Sequence, residues 1–385
     1  MAEDYKVHRD HCHEAFSSPL TTCSGSSDPV FRALSGDQLT ASDVHVTVTR
    51  LSGRFANSWE CVGWMMYSGM TEDRRPDADQ WLAYFERRGY DAPRILGAGM
   101  EGVVYRLTEG LVAKVWSGLP PAEIALSRDV YAEVAHHALP FGTPEILDVE
   151  VHGGVFVSYE RELAGAPFRS DPFMTDAELD IPAVEVAALL TVLRALATVP
   201  GTDAMRGLTV QGDDRPLWLG QQRFPDALAA LVRRAVGRHG DVLAGYVPGL
   251  SATVERVVTA LATLPGVPNT VIHGDLVPPN LHVEDDGRVV AVLDFGFFTT
   301  AGDPAFDAAV AAAVWDMYGP HAERHAATLT ELFAAELGYP AETLALYQAV
   351  YALATYDLFS SGGSDGHFQW CAALLRRSRV GAARG

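Results

Sequence analysis

The chain lacks most of the features that mark secreted, membrane-spanning or nucleic-acid-binding proteins. Only 4 of its 385 residues are cysteine, and Cys12, Cys23, Cys61 and Cys371 are scattered along it. That spacing argues against a disulfide framework and is expected of a reducing compartment. The opening residues carry no apolar run of the secretory kind, and no later stretch approaches the roughly 20 apolar residues that cross a bilayer. A cytoplasmic protein with no membrane partner is therefore expected. The formal charge is -20, and the basic run Arg376, Arg377 and Arg379 reads as a solvated tail. Phosphate backbones are bound by clustered cations, so no nucleic-acid partner is expected. Internal repeats and long low-complexity tracts are absent, and nothing implies a protein partner. What remains is 48% hydrophobic and 20% charged residues, enough apolar material for one large core or two smaller ones. The acidic surplus is first of all a source of solubility and only weakly favours a cationic substrate.

The texture of the sequence divides it into three parts. Residues 1–70 mix Ser, Thr, Gly, His and isolated aromatics without a sustained period, apart from an alternating run at Val44 to Thr49, and read as a poorly ordered extension. Within it His8, His11, Cys12, His13 and Cys23 do not match the ligand spacing of a zinc finger and are expected to bind metal only adventitiously. Residues 71–164 read as a small α+β lobe. Trp81, Leu82, Tyr84 and Phe85 recur at helical spacing before Gly89. Strand-like runs around Val103 to Tyr105 and Leu111 to Trp116 flank a turn at Glu109-Gly110, a helix is expected from Pro121 to Ala138, and two further strands turn at His152-Gly153-Gly154. Residues 165–385 are strongly helical, with Ala- and Leu-rich runs at 183–198, 225–236, 251–263, 305–317, 321–337 and 341–359. They are interrupted by one strand pair joined through Asp286-Gly287.

Four motifs carry chemistry. Gly97-Ala98-Gly99-Met100-Glu101-Gly102-Val103-Val104 has the spacing of a loop that covers nucleotide phosphates, where a Cβ would hold the backbone away from the ligand. The β-branched residues and second strand that follow set it apart from dinucleotide-binding turns, which open a helix. Lys114 stands in the apolar strand Leu111 to Val115, where an ammonium needs a partner. A nucleotide phosphate and a carboxylate on the next helix would supply it. Glu123 and Glu133 are both available with Asp129 between them, and Glu123 is preferred because Val130 and Val134 share its helical face. The third motif is His273-Gly274-Asp275-Leu276-Val277-Pro278-Pro279-Asn280, and the fourth is Asp294-Phe295-Gly296. Phosphoryl transfer needs a carboxylate to orient the attacking hydroxyl and oxygen ligands to hold Mg²⁺. Asp275 fits the first role, Asn280 and Asp294 the second, and the intervening hairpin would bring the two ligands together.

In this ordered set the chain resembles the aminoglycoside phosphotransferase family, whose pattern continues here in Gly302-Asp303-Pro304 and Asp307. The resemblance runs from about Pro93 to the end of the helical part. It implies a two-lobed protein-kinase-like α+β fold, ATP or GTP with Mg²⁺ as cofactors, and Arg161 to Leu163 as an interlobe linker whose backbone meets the purine. It also implies that Asp303 and Asp307 brace the catalytic loop. The segment between Gly296 and Gly302 leaves no room for the peptide-docking activation segment of protein kinases, and Gly274 replaces the arginine of His-Arg-Asp. The expected acceptor is therefore a hydroxyl of a small molecule such as an aminoglycoside, a macrolide, an amino alcohol or a ketosamine. The alternative is a catalytically silent nucleotide-binding module, which the complete set Lys114, Asp275, Asn280 and Asp294 disfavours.

Overall fold

The computed structural model describes residues 78–378 apart from Met100, Leu119 and residues 170–172, together with the backbone of two short strands nearer the N-terminus. These two, β1 (Val30–Ala33) and β2 (Val46–Thr49), pair antiparallel, β2 falling on the alternating run. They belong to a compact unit of residues 1–58, and every chemical motif lies in the second unit, Trp59–Gly385. The rest of the expected extension, with its His and Cys cluster, lies outside the described residues.

In the second unit, helix α1 (Ala78–Arg87) buries Trp81, Tyr84 and Phe85 on one stripe, as their three- and four-residue spacing dictates. The stripe packs on a five-stranded antiparallel sheet of β3 (Arg94–Gly99), β4 (Gly102–Thr108), β5 (Leu111–Trp116), β6 (Ile146–His152) and β7 (Val155–Arg161), in the order β3-β4-β5-β7-β6. Alternation along the strands gives the sheet two faces. Val103, Tyr105, Ala113, Val115, Val157 and Tyr159 meet α1 in a small core of their own. Lys114 pairs across to Ser158, which places both on the opposite face with Trp116 and Glu160. Helix α2 (Pro121–Ala135) buries Ile124, Val130, Tyr131 and Val134, which join Trp116 in the larger core that continues into the helical part.

Past Arg161 the chain enters that helical part through β8 (Ala166–Pro167), which pairs with β10 (Leu281–Val283), itself paired with β11 (Val289–Val292). A separate pair joins β9 (Thr270–Ile272) to β12 (Thr300–Gly302). The helices are α3 (Ala183–Leu196), the short α4 (Asp203–Gly207), α5 (Phe224–Ala244), α6 (Leu250–Thr263), α7 (Ala305–Val314), α8 (Ala322–Leu337), α9 (Ala341–Thr355) and α10 (Gly366–Arg377). Every residue of α7 is buried, so its alanine-rich sequence packs on all sides, and it forms the axis of the lobe. No helix among the described residues is long and apolar enough to cross a membrane.

Candidate active site

The β9–β12 pair sets the position of His273-Gly274-Asp275, since β9 ends at Ile272 opposite Thr300. Gly274 has φ +76°, and a Cβ there would stand 2.5 Å from the Phe298 Cβ, so both the conformation and the packing require glycine. Asp307, in the first turn of α7, accepts the amides of His273 at 2.9 Å and Gly274 at 2.7 Å. The His273 imidazole is buried, with Nδ1 accepting the Asp275 amide at 3.2 Å and Nε2 2.8 Å from the Leu293 carbonyl. This places the ring proton on Nε2. Burial lowers the imidazole to about 4, so the ring is neutral and serves as a strut between the two loops. Asp303 braces a different place, accepting the Ala305 amide at 2.9 Å and the Tyr347 hydroxyl at 2.8 Å.

Asn280 ends a 3₁₀ turn, Pro278–Asn280, and its Nδ2 donates to the Asp275 carbonyl at 2.9 Å and to Asp275 Oδ2 at 3.2 Å. Its side-chain oxygen is left for another partner. The Leu293 amide donates to the Asn280 carbonyl at 2.8 Å, so β10 and β11 return the chain to Asp294 beside Asn280. Asp294 adopts φ +63°, a conformation that few side chains tolerate and that aspartate accepts most readily after glycine and asparagine. Burial, then the Asp294 charge, raises the Asp275 carboxyl to about 7, against the pull of the Asn280 hydrogen bond.

From the sheet side, the Lys114 ammonium lies 3.6 Å from Asp294 Oδ1 and 4.0 Å from the centre of the Trp116 ring. Burial works against its charge, but the carboxylates of Glu101 and Asp294 outweigh it, and the ammonium stays protonated. Its closest carboxylate is not the expected one. Lys114 hydrogen-bonds to Glu101, within the glycine motif, whereas Glu123 is half-exposed in the first turn of α2 and makes no ion pair with it. Glu133, the other helix carboxylate, accepts the Thr202 hydroxyl. The helix residue that reaches the site is Tyr131, whose hydroxyl donates to the Phe295 carbonyl at 3.0 Å. A second line of contacts runs from Trp116 Nε1 to Ser158 Oγ at 2.8 Å and from Ser158 to Glu160 Oε1 at 2.6 Å. Glu101 could have been noticed as a carboxylate inside the motif; for Tyr131 and Glu160 the sequence carried no signal beyond an apolar period.

The glycines differ in what they answer to. A Cβ on Gly102 would come within 2.0 Å of the Val115 carbonyl oxygen, whereas one on Gly97 or Gly99 would meet no atom of the described residues within 4 Å beyond its chain neighbours. Gly102 closes the β3–β4 turn, and Gly97 and Gly99 leave open space. At the linker, the Arg161 amide donates to Glu145 and the Glu162 amide to Gly110, the Arg161 side chain pairs in solvent with Glu145, and Leu163 packs near Gly142. Of the aromatics in the helical part, Trp315, Tyr347, Tyr351 and Tyr356 are core, while Tyr318, Phe359 and Trp370 are half-buried around His367. No group of three or more His, Cys, Asp or Glu among the described residues is arranged to hold a metal ion alone. Asn280 and Asp294 do offer the oxygen donors of a site completed by phosphate and water, which suits Mg²⁺.

The structure resembles solved aminoglycoside phosphotransferases. A thermostable mutant of aminoglycoside phosphotransferase APH(4)-Ia matches with TM-score 0.54 at 19% identity, over 76% of this chain and 97% of that one. The GDP complex of aminoglycoside 2'-phosphotransferase-IIIa matches with TM-score 0.54 at 15% identity, over 79% and 99%. At these identities the likeness establishes the fold, which is the two-lobed kinase-like α+β fold. In sequence, a homoserine kinase of Caulobacter sp. (strain K31) is 36% identical over 80 residues, a match spanning 20% of this chain and about a quarter (25%) of that relative. The phosphotransferase enzyme family model matches residues 92–342, and the chain belongs to that family.

Proposed function

We propose that this phosphotransferase-family chain transfers the γ-phosphate of ATP or GTP to a hydroxyl of a small molecule. The observation that carries the reading is the meeting of Lys114, Asp275, Asn280 and Asp294 from both lobes, with Asn280 touching Asp275 and Lys114 3.6 Å from Asp294. Asp275 orients the acceptor hydroxyl and takes its proton, a role for which a carboxyl raised to about 7 has a suitable affinity. Lys114 holds the α- and β-phosphates, and the turn containing Gly97 and Gly99 covers them. The backbone of Arg161 to Leu163 receives the purine. Asn280 and Asp294 would hold Mg²⁺, which when bound neutralises charge on the phosphates. Tyr131 fixes the loop that carries Asp294 through its bond to the Phe295 carbonyl.

A small acceptor follows from the short path between Gly296 and β12, where no peptide platform fits. Relatives named for aminoglycosides and for homoserine support the same class. The test is consumption of ATP and of GTP with Mg²⁺ against aminoglycosides, macrolides, amino alcohols and ketosamines, with Asp275→Ala as the blank. Turnover with one class that disappears in the variant supports the reading; tight nucleotide binding without turnover on any acceptor supports the silent module.

A further inference from the structure

The cleft face of the sheet holds one ammonium among several carboxylates. Lys114 is bonded to Glu101, lies 3.6 Å from Asp294 and interacts with Glu160, while Asp275 interacts with both Asp294 and Glu101. Lys114 is the one lysine among the described residues, so no second described ammonium helps to balance this group.

Glu101 reaches it from the turn between β3 and β4. Its carbonyl accepts the Ser117 amide at 2.7 Å, which pins the turn to the end of β5. From there the side chain folds into the cleft, where it is only 15% exposed. A Cβ on Gly296 would come within 2.0 Å of Glu101 Oε1, so the carboxylate lies directly against the turn that follows Asp294. One side chain thus bridges the space from Lys114 to Gly296.

On the phosphotransfer reading, on which this inference rests, that space belongs to the nucleotide phosphates. A carboxylate and a phosphate are both anionic acceptors for the same ammonium, and side by side in a poorly solvated cleft they repel each other. The Asp294 and Glu160 carboxylates themselves add negative charge beside Glu101. We infer that Glu101 is an internal stand-in for a nucleotide phosphate, a latch that holds Lys114 and draws the glycine turn onto the Asp294 loop until the nucleotide displaces it. Every nucleotide then binds in competition with the Glu101–Lys114 pair. The competition acts on the phosphate end of the ligand and not on the nucleoside.

Isothermal titration of the full chain tests this, comparing wild type with Glu101→Gln and Glu101→Ala for ATP and GTP with Mg²⁺ and for adenosine and guanosine. The triphosphate that wild type binds should bind both variants about tenfold more tightly, a change of about 1.4 kcal/mol, with the matching nucleoside unchanged. Equal or weaker triphosphate binding in the variants overturns the latch and makes Glu101 a support that keeps Lys114 in place. An equal gain for nucleoside and triphosphate also overturns it, because that is a loosened turn rather than a vacated phosphate site. If wild type and both variants bind no nucleotide at all, the phosphotransfer reading falls and the latch with it; tight wild-type binding indifferent to Glu101 removes the latch alone.

Discussion

Asp275 is held in the cleft by Asn280 and raised to about 7 by burial and the Asp294 charge. A base in that condition is protonated in acid, so kcat/KM should climb as pH rises through about 7, where the free enzyme loses that proton. Asp275→Asn keeps the shape and removes the base. It should lower kcat by about 10²- to 10⁴-fold while leaving nucleotide affinity within about twofold. Steady-state rates beside a binding isotherm separate the two, and an equal loss of both would contradict the assigned role. His367 gives an independent pH signal. It is buried beside Trp370, with Nε2 3.0 Å from the Thr355 hydroxyl, and burial lowers it to about 4. A depressed imidazole favours the folded state above its ordinary value near 6.5, and the contribution is lost as pH falls through about 4. Relative to His367→Gln, wild type should lose about 3 kcal/mol of stability between those limits, read from urea midpoints at a series of pH values. Parallel curves would mean that His367 is already neutralised by other means.

Between elements, one bond joins α2 to the loop of Asp294, the Tyr131 hydroxyl to the Phe295 carbonyl. Tyr131→Phe leaves that buried carbonyl unpaired and should cost about 1 kcal/mol of stability. It should also reduce kcat several-fold, with KM for the acceptor little changed, because Asp294 sits in a left-handed conformation that its surroundings must enforce. Unchanged kcat alongside a lowered melting temperature would leave Tyr131 a packing residue only. The expectation that placed a carboxylate at Glu123 failed for a reason visible in this helix. Val130 and Val134 did mark the buried face, but the place on it nearest the site belongs to Tyr131, and Lys114 found its carboxylate in the turn above. Long apolar periods made most helices legible, and the meeting of Asp275 and Asn280, and of Lys114 and Asp294, was legible from residue types that phosphoryl transfer would demand. The β9–β12 pair was not, since two three-residue strands carry no period of their own and are made by tertiary contact. Nor was the far end of α5, since the helical run expected over 225–236 stops short of it. The helix runs on to Ala244 through a kink at His239.

For the molecule as a whole, the sheet divides two cores. Its outer face and α1 make a small cluster containing Phe85 and Tyr105, both fully buried, while its inner face belongs to the large core of α2 and the helical lobe. Among the described residues burial begins at Trp81, and nothing N-terminal to Arg94 carries a motif used in the proposed reaction. A chain lacking residues 1–70 retains α1 and every described residue of both cores. It should melt within about 2 °C of the full chain and keep kcat and KM within about twofold. Disrupting α1 is a different matter: Phe85→Ala opens a cavity in a core too small to absorb it and should cost about 3–5 kcal/mol. Melting curves and turnover for the two variants, measured together, place the lower boundary of the working domain. If the shortened chain melts normally but turns over slowly, residues 1–70 act on the reaction itself. If Phe85→Ala melts normally, the small core is not what holds the five-stranded sheet in shape, and the inner face alone carries it.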